Sequence, residues 1–504
     1  MVNILKRAAM RTVPFSLVHK QIKNKSNNYE KFKKMFLSLD NKTIKLMQEK
    51  YLMYSFHLNS QRIPQYNSFL KRKGINPKDI KNIKDFLEKV PETNKKNYIY
   101  KSHKITNLCV NGNIHNISMI VKSSGHSGKQ CYWVKSHSED FFGKNAISIA
   151  LDQNYNVNKE KTLIINGFIL GSWVTGINFN EFASWHCPII NVGPDKHEIF
   201  QTIEDIGDQF NQILITGYPP FIKELVDFAN SNKFNWKKHK INFIAGGEDF
   251  PESWRDYISK NSNNAKTVSG FGASDIGILG GIENNDTIFI RKLADKNHQL
   301  KKDLFGKVNE TPMLFQYPTN LYVYANKKQE LIFTSILPET AQPVIKYNLQ
   351  DIGGTLTHEQ INKTLKKHGI IHKIHSPLPF MYVMGRKDGP VNYNAFLIYP
   401  ENIEECIYRN KQIAKTSTSA FKFRTVFDNK HNKKLLIEFE LKPKVKKTKQ
   451  LENLYLKLVT NTLTQVNEGY RATRKKLGPI SLPKVILYEN KDYPYKSKIK
   501  NNYN

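Results

Sequence analysis

Between Thr162 and Gly281, short apolar runs ending in glycine alternate with stretches of helical spacing, and few architectures accept that rhythm. TLIINGF, QILITGY and INFIAGG are β-rich, whereas FIKELVDFAN and PESWRDYISK read as helices. The first of these helices is entered through proline, as helix N-termini commonly are. Alternating strands and helices need crossover connections, so the pattern predicts α/β architecture with a largely parallel sheet and sites at the carboxyl ends of its strands. The most apolar run, TLIINGFILGSWVTGINF, is broken by Asn166, Gly167, Gly171, Ser172 and Gly176. It predicts a buried strand followed by a glycine-rich loop rather than a membrane span.

On either side the periodicity changes. Residues 29–57 have helical spacing, with Tyr29, Phe32, Phe36 and Leu39 on one face, and Ile44, Met47, Tyr51 and Tyr54 likewise. A boundary falls near YVMGRKDGP (382–390). Beyond it LLIEFEL alternates Leu435, Ile437, Phe439 and Leu441 on one face of a half-buried strand, and LENLYLKLVTN resumes helical spacing through Leu451, Leu454 and Leu458. The fold expected is a large N-terminal α/β domain with mostly parallel sheets (1–384) and a small C-terminal α+β domain (385–504).

Charge and cysteine content narrow the function classes. The chain has 504 residues and carries 77 lysines and arginines against 44 acidic residues, a net charge of +33, but the lysines are scattered. The densest cluster, LKPKVKKTKQ (441–450), lies between a strand pattern and a helix pattern and reads as a solvated connection. Charge spread in this way predicts no nucleic-acid partner and at most weak attraction to anionic membranes. Cys109, Cys131, Cys187 and Cys406 are far apart without CxxC spacing, which fits a reducing compartment and neither a zinc ribbon nor a disulfide scaffold. Residues 1–25 are basic but hold no continuous apolar run, so they predict no secretory signal, and an interfacial basic helix is the alternative. A soluble, cytoplasmic protein is expected.

Five stretches carry chemistry. VKSSGHSGKQ (121–130) places five small residues in six positions and then a lysine, a composition that lets backbone N–H groups approach phosphate oxygens. AGGEDFPESWRDYI (245–258) is a strand end, a glycine turn and a helix; SGFGASDIG (269–277) sets an aromatic, small residues and an acid together. VIKYNLQDIGG (344–354) leads a strand into Asp351, and GRKDGPVNYNAFLIYPENIEE (385–405) follows. In this order and spacing they resemble the adenylate-forming enzymes, and specifically the branch of phenylacetate–CoA ligase and the capsule-operon ligases. QRIPQYNSFLKRKGINPKDIKNIKDFLEKVPETNK (61–95), ILGSWVTG (169–176) and ITGYPPFIKEL (215–225) extend the likeness over nearly the whole chain.

The resemblance implies an ATP-dependent, AMP-forming carboxylate ligase with a mobile C-terminal domain. Ser123, Ser124, Gly125, His126, Ser127, Gly128 and Lys129 would cradle the β- and γ-phosphates, His126 standing where the family usually has a hydroxyl residue. Phe271 would stack on adenine beside Gly246, Gly247 and Glu248, with Gly272 and Ala273 completing the loop and Ser274 near the carboxylate and α-phosphate. Asp275 takes the place of the family's magnesium-binding glutamate, one methylene shorter. Asp351 would accept from both ribose hydroxyls. Arg386 would reach phosphate or ribose, and Asp388 would be the hinge. The tail YPYKSKIKNNYN offers Lys496, Lys498 and Lys500 without the family's glycine; Lys498 fits the catalytic position best, with Ser497 for that glycine. Ala395 stands where CoA-transferring members usually have glycine. The expected substrates are ATP, Mg²⁺ and a small-molecule carboxylic acid, with CoA, a carrier-protein arm, an amine or a sugar as acceptor. A catalytically silent nucleotide-binding scaffold is the rival reading. Trp173, Phe179, Phe182, Trp185 and Tyr218 could be core or acyl pocket, and His186 reads as a satisfied loop histidine.

Overall fold

The computed structural model describes residues 7, 15–26, 28–123, 131–171, 174–308, 311–386, 391–394, 396–490 and 492–494. The chain divides into two compact units, the first formed by residues 1–123, 131–217 and 226–384, with the change-over in the C-terminal part between Met384 and Gly385.

The first unit opens with helices at Phe15–Ser26, Tyr29–Leu37, Asn41–Arg62, Pro64–Arg72 and Ile83–Lys89. The single helical stretch expected over 29–57 is two helices, because the Asp40 carboxylate accepts from the Thr43 N–H (2.8 Å) and starts a new one. Its apolar faces are as expected, with Phe32, Phe36, Ile44, Met47 and Tyr51 buried. A hairpin follows, β1 (Ile117–Ser123) antiparallel to β2 (Cys131–Ser136), and then the helix His137–Tyr155, capped by the Ser136 hydroxyl, which accepts from Glu139 N–H (3.1 Å).

The remaining strands form one eleven-stranded sheet. β3 (Thr162–Asn166), β4 (Ile189–Asn191), β5 (Gln212–Gly217), β6 (Ile241–Gly246) and β7 (Thr267–Ala273) pair in parallel, in the order β4-β3-β5-β6-β7. Every residue of β3, β5 and β6 is buried, the continuous apolar reading of strands covered on both faces. The expected helices lie between them, at Pro219–Ser231 and Glu252–Asn261. From β8 (Gly277–Ile282) onward the sheet turns antiparallel, through β9 (Met313–Gln316), β10 (Leu321–Ala325), β11 (Glu330–Ser335), β12 (Tyr347–Leu356) and β13 (Phe380–Arg386). The α/β architecture is as expected, parallel in the segment it was read from. Where a glycine-rich loop was expected after β3, residues Val174–Ala183 form a helix.

In the second unit β16 (Ser417–Phe427) pairs antiparallel with β17 (Lys433–Leu441), which pairs in parallel with β18 (Lys484–Tyr488); β14 (Val391–Tyr393) and β15 (Phe396–Ile398) make a separate ribbon. Leu435, Ile437, Phe439 and Leu441 are wholly buried, but so nearly are Leu436 and Glu438, because β17 is central rather than half exposed. The helix Lys449–Val466 buries Tyr455, Val459 and Leu463; Leu451 and Leu458, expected on its inner face, flank that stripe.

Candidate functional site

The hairpin β1–β2 closes on the pair Ser123↔Cys131, so the small-residue stretch is the hairpin's connection; residues 124–130 themselves lie outside the described residues. Two tethers join this hairpin to SGFGASDIG. Ser274 Oγ donates to the Lys122 carbonyl at 3.0 Å. On the other strand the Trp133 indole donates to Ser123 Oγ (3.1 Å) and packs edge-on against Tyr347, whose hydroxyl donates to Asp275 Oδ2 at 2.6 Å. Ser123, Ser274 and Asp275 are thus held in one cluster, all at least nine-tenths buried. Burial and the neighbouring Asp275 carboxylate keep the Tyr347 phenol protonated. Sequence reading missed Trp133 and Tyr347.

The stretches expected to hold the nucleotide adjoin this cluster across the sheet. Gly246 at the end of β6 pairs with Gly270, one residue before Phe271. A Cβ at Gly246 would lie 3.3 Å from the Phe168 ring, and Gly247 has φ +85°, so neither position accepts a larger residue easily. Glu248 is buried beside them. Phe271 is half-buried and stacks on Phe333 (ring centroids 6.2 Å apart), leaving Gly272 exposed and Ala273 half-buried at the strand end. Asp351 is buried on β12, four residues beyond Tyr347, and follows Gln350 at φ +69°. Arg386 ends β13; its side chain and residues 387–390, including Asp388, lie outside the described residues, as do Ala395, Lys496, Lys498 and Lys500.

Asp275 has a second partner that the sequence did not announce, the Lys95 ammonium at 3.5 Å from the same Oδ2. Among the described residues no group of three or more His, Cys, Asp or Glu side chains could hold a metal ion. A magnesium ion held by protein needs one or two available carboxylates in an octahedral set. Here Asp275 is already shared between an ammonium and a phenol, so it would offer magnesium one carboxylate, with nucleotide phosphates and water supplying the rest of the set.

Asp275 also lines a cavity of ≈ 60 Å³ with Lys135, Asp140, Asn178, Phe182 and Ile278. Burial pushes the Asp140 carboxyl above the usual range, with the Ser118 hydroxyl, Lys144 and Lys135 working against that and Glu181 with it. Below about pH 4 both folded and unfolded chains carry this group protonated. As pH rises the unfolded chain ionises first, so folding stability is lost through the interval up to the raised value. Asp140→Asn is therefore expected to raise the melting temperature by about 2 °C at pH 7, with the gain vanishing below about pH 4. Calorimetry across that range checks it, and a destabilised variant at pH 7 would show Asp140 to be structural.

Of the expected aromatic group, Phe179 and Phe182 are core, with Phe182 also on the cavity, and Tyr218 is buried. Trp185 is 62 % exposed under Lys144, and Trp173 lies outside the described residues. His186 bonds Asn158, as a satisfied histidine does. A larger apolar cavity, ≈ 200 Å³ among Val18, Phe32, Met47 and Tyr51, holds none of the expected site residues. No described helix is long and apolar enough to cross a membrane, and all four cysteines are buried thiols outside any disulfide.

No protein-family model matches the chain, and no curated protein does. Solved structures do match. The structure of 2-hydroxyisobutyryl-CoA ligase with 2-HIB-AMP and CoA in the thioesterification state superposes with a TM-score of 0.63 at 13 % identity, over 91 % of this chain and 89 % of that one. An open conformation of the same ligase gives 0.54 at 12 % identity, over 91 % and 90 %. The chain has the fold of the adenylate-forming ligases.

Proposed function

We propose that the chain is an AMP-forming ligase that activates a carboxylic acid with ATP and passes the acyl group to a thiol, CoA or a carrier arm. The observation that carries this reading is the double tether between the hairpin and SGFGASDIG, through Ser274–Lys122 and Trp133–Tyr347–Asp275. In the first half-reaction a carboxylate oxygen of the acid attacks the α-phosphorus, the bond to the β-phosphate bridging oxygen breaks, and pyrophosphate leaves with the electron pair. The small-residue connection 123–129 would hold the β- and γ-phosphates by N–H donors, which stabilises the departing charge. Phe271 would stack on adenine beside Gly246, Gly247 and Glu248, and Asp351 would bind the ribose. Lys498 would bridge the acid and the α-phosphate. In the second half-reaction the thiol sulfur attacks the acyl carbon, AMP leaves and the thiol proton passes to solvent; Arg386 and the hinge Asp388 would serve the change between halves. The fold neighbour described with 2-HIB-AMP and CoA supports this chemistry. Lys95 on Asp275 favours the rival reading, a silent nucleotide-binding scaffold.

The test is acid-dependent pyrophosphate release with ATP and Mg²⁺ across aromatic, fatty, amino and hydroxy acids, without acceptor. Release with one class, followed by thioester formation when CoA is added, is the expected result. ATP binding without release from any acid would move the assignment to the scaffold.

A further inference from the structure

We infer that the acid taken by this site is short and carries a hydrogen-bond donor, a hydroxyl or an amino group, on its acyl part. The inference rests on the ligase reading for the position of the carboxylate, near Ser274 and Asp275, and on the cavity beside Asp275 for the rest of the molecule.

Size sets the first limit. A cavity of ≈ 60 Å³ has room for about four to six water-sized groups, whereas one that takes benzene is on the order of 150 Å³. The wall cannot easily retreat on the aromatic side, because Phe182 packs so tightly on Gly143 that a Cβ there would sit 2.6 Å from the ring. An arene or a long alkyl chain overfills the space.

Polarity sets the second. Asp140 and Asn178, 3 % and 2 % exposed, line the cavity, and each holds a buried Oδ1 with no hydrogen-bond partner. Native proteins leave few such atoms unpartnered, and both of these are acceptors, so their complement is a donor. Charge narrows the choice further. Of the ionic groups that line the cavity, Lys135 lies 3.6 Å from Glu139, and Asp275 lies 3.5 Å from Lys95, which is not part of the lining. Asp140 is left as the excess negative charge, which disfavours a second carboxylate on the substrate and accepts either a neutral hydroxyl or an ammonium. An all-hydrocarbon acid would leave both acceptors stranded, which is how a site built for a polar group rejects an apolar isostere.

The test compares 3-hydroxypropanoate, 4-hydroxybutanoate, β-alanine and 4-aminobutanoate with propanoate, butanoate and phenylacetate. Binding is read by calorimetry without ATP, and adenylation by pyrophosphate release. We expect a donor-bearing acid to exceed its deoxy isostere by at least about 10²-fold in kcat/KM. In Asn178→Leu with Asp140→Leu that ratio falls below about 10, while melting temperature and ATP binding report that the variant is folded. Asp140→Asn keeps an acceptor oxygen, so it keeps the hydroxy acid and loses any preference for the amino acid; this separates the two donors. Butanoate or phenylacetate turned over as well as the donor-bearing acids would overturn the inference and leave the ligase reading intact. Saturable binding of a donor-bearing acid that Asn178→Leu abolishes, without pyrophosphate release, would keep the inference and overturn adenylation. Failure of every donor-bearing acid to bind or react would overturn it outright.

Discussion

Glu252→Ala is expected to destabilise the chain by about 3–5 kcal/mol, the usual cost of leaving a buried charge without its partner. Glu252 accepts from Arg255 Nε (2.9 Å) and Nη2 (3.1 Å) and from Arg291 Nη1. Arg255 Nη2 donates also to Glu283 (2.7 Å), whose other oxygen accepts from the Ser269 N–H at 2.9 Å. Arg291 continues to the carbonyls of Pro312 (2.9 Å) and Phe250 (2.6 Å). No member is more than 4 % exposed, so two guanidinium and two carboxylate groups cancel out of reach of water. Without Glu252, two cations face one anion, and five N–H donors of each arginine must be satisfied with one acceptor group fewer.

The network also fixes the site. It ties the helix after the Gly246-Gly247-Glu248 turn to the start of the strand that carries Phe271, so its loss loosens the proposed nucleotide-binding stretches together. Urea unfolding with the slope unchanged measures the cost; Glu252→Gln, which keeps the acceptor and loses the charge, should fall between. A double replacement of Glu252 and Arg291 by leucine and methionine should cost less than the sum of the single changes, since it removes both charges of the pair. A loss under about 1 kcal/mol for Glu252→Ala would mean that water reaches the cluster.

Periodicity read the parallel half of the sheet directly, because β3, β5 and β6 are apolar on both faces and end in glycine. It did not read the antiparallel half. β9 and β13 pair through Phe315↔Met381, a contact distant in sequence and joined by no crossover whose spacing could be counted. The helix stripe at 449–466 differs from the expected one because Leu451, Leu454 and Leu458, spaced 3 and 4 apart, and the buried Tyr455, Val459 and Leu463, spaced 4 and 4 apart, both satisfy helical periodicity on neighbouring faces. At the candidate site, motif order pointed to Ser123, Ser274, Asp275 and Asp351, but Trp133 and Tyr347, which join Ser123 to Asp275, are ordinary aromatic residues in strands. Asp140 was hidden for a different reason: an acid in the first turn after a serine cap is what any helix start looks like. Asn178 stood in an apolar run that read as loop, and only the helix turns it to the cavity. Lys95 is one lysine among many, and nothing in its neighbours in sequence marks it as the partner of Asp275.

Asp351→Ala is expected to lower kcat/KM for ATP by roughly 10²–10⁴-fold, on the proposal that its two oxygens accept from the ribose hydroxyls. Hydrogen bonds to a charged group contribute about 1.5–3 kcal/mol each, and two of them give that range. The position suits the task. β12 is an inner strand of the sheet, and a Cβ on Gly353 would lie 2.0 Å from the Tyr382 carbonyl of β13, so the backbone just past Asp351 is closely packed. A strand held in this way positions a carboxylate more narrowly than a surface loop does. The activity loss alone would not separate ribose binding from a structural role, because Asp351 is buried. Deoxynucleotides separate them. With the unaltered chain, 2′-deoxy-ATP and 3′-deoxy-ATP should each be poorer than ATP by about 10–10²-fold, the effect of one charged hydrogen bond. In Asp351→Ala the three nucleotides should become equivalent, since neither hydroxyl has a partner left to lose; such non-additivity is the signature of direct contact. If Asp351→Ala keeps the deoxy discrimination while its melting temperature falls, the carboxylate is a structural group of β12 and the ribose contact must be sought on another strand.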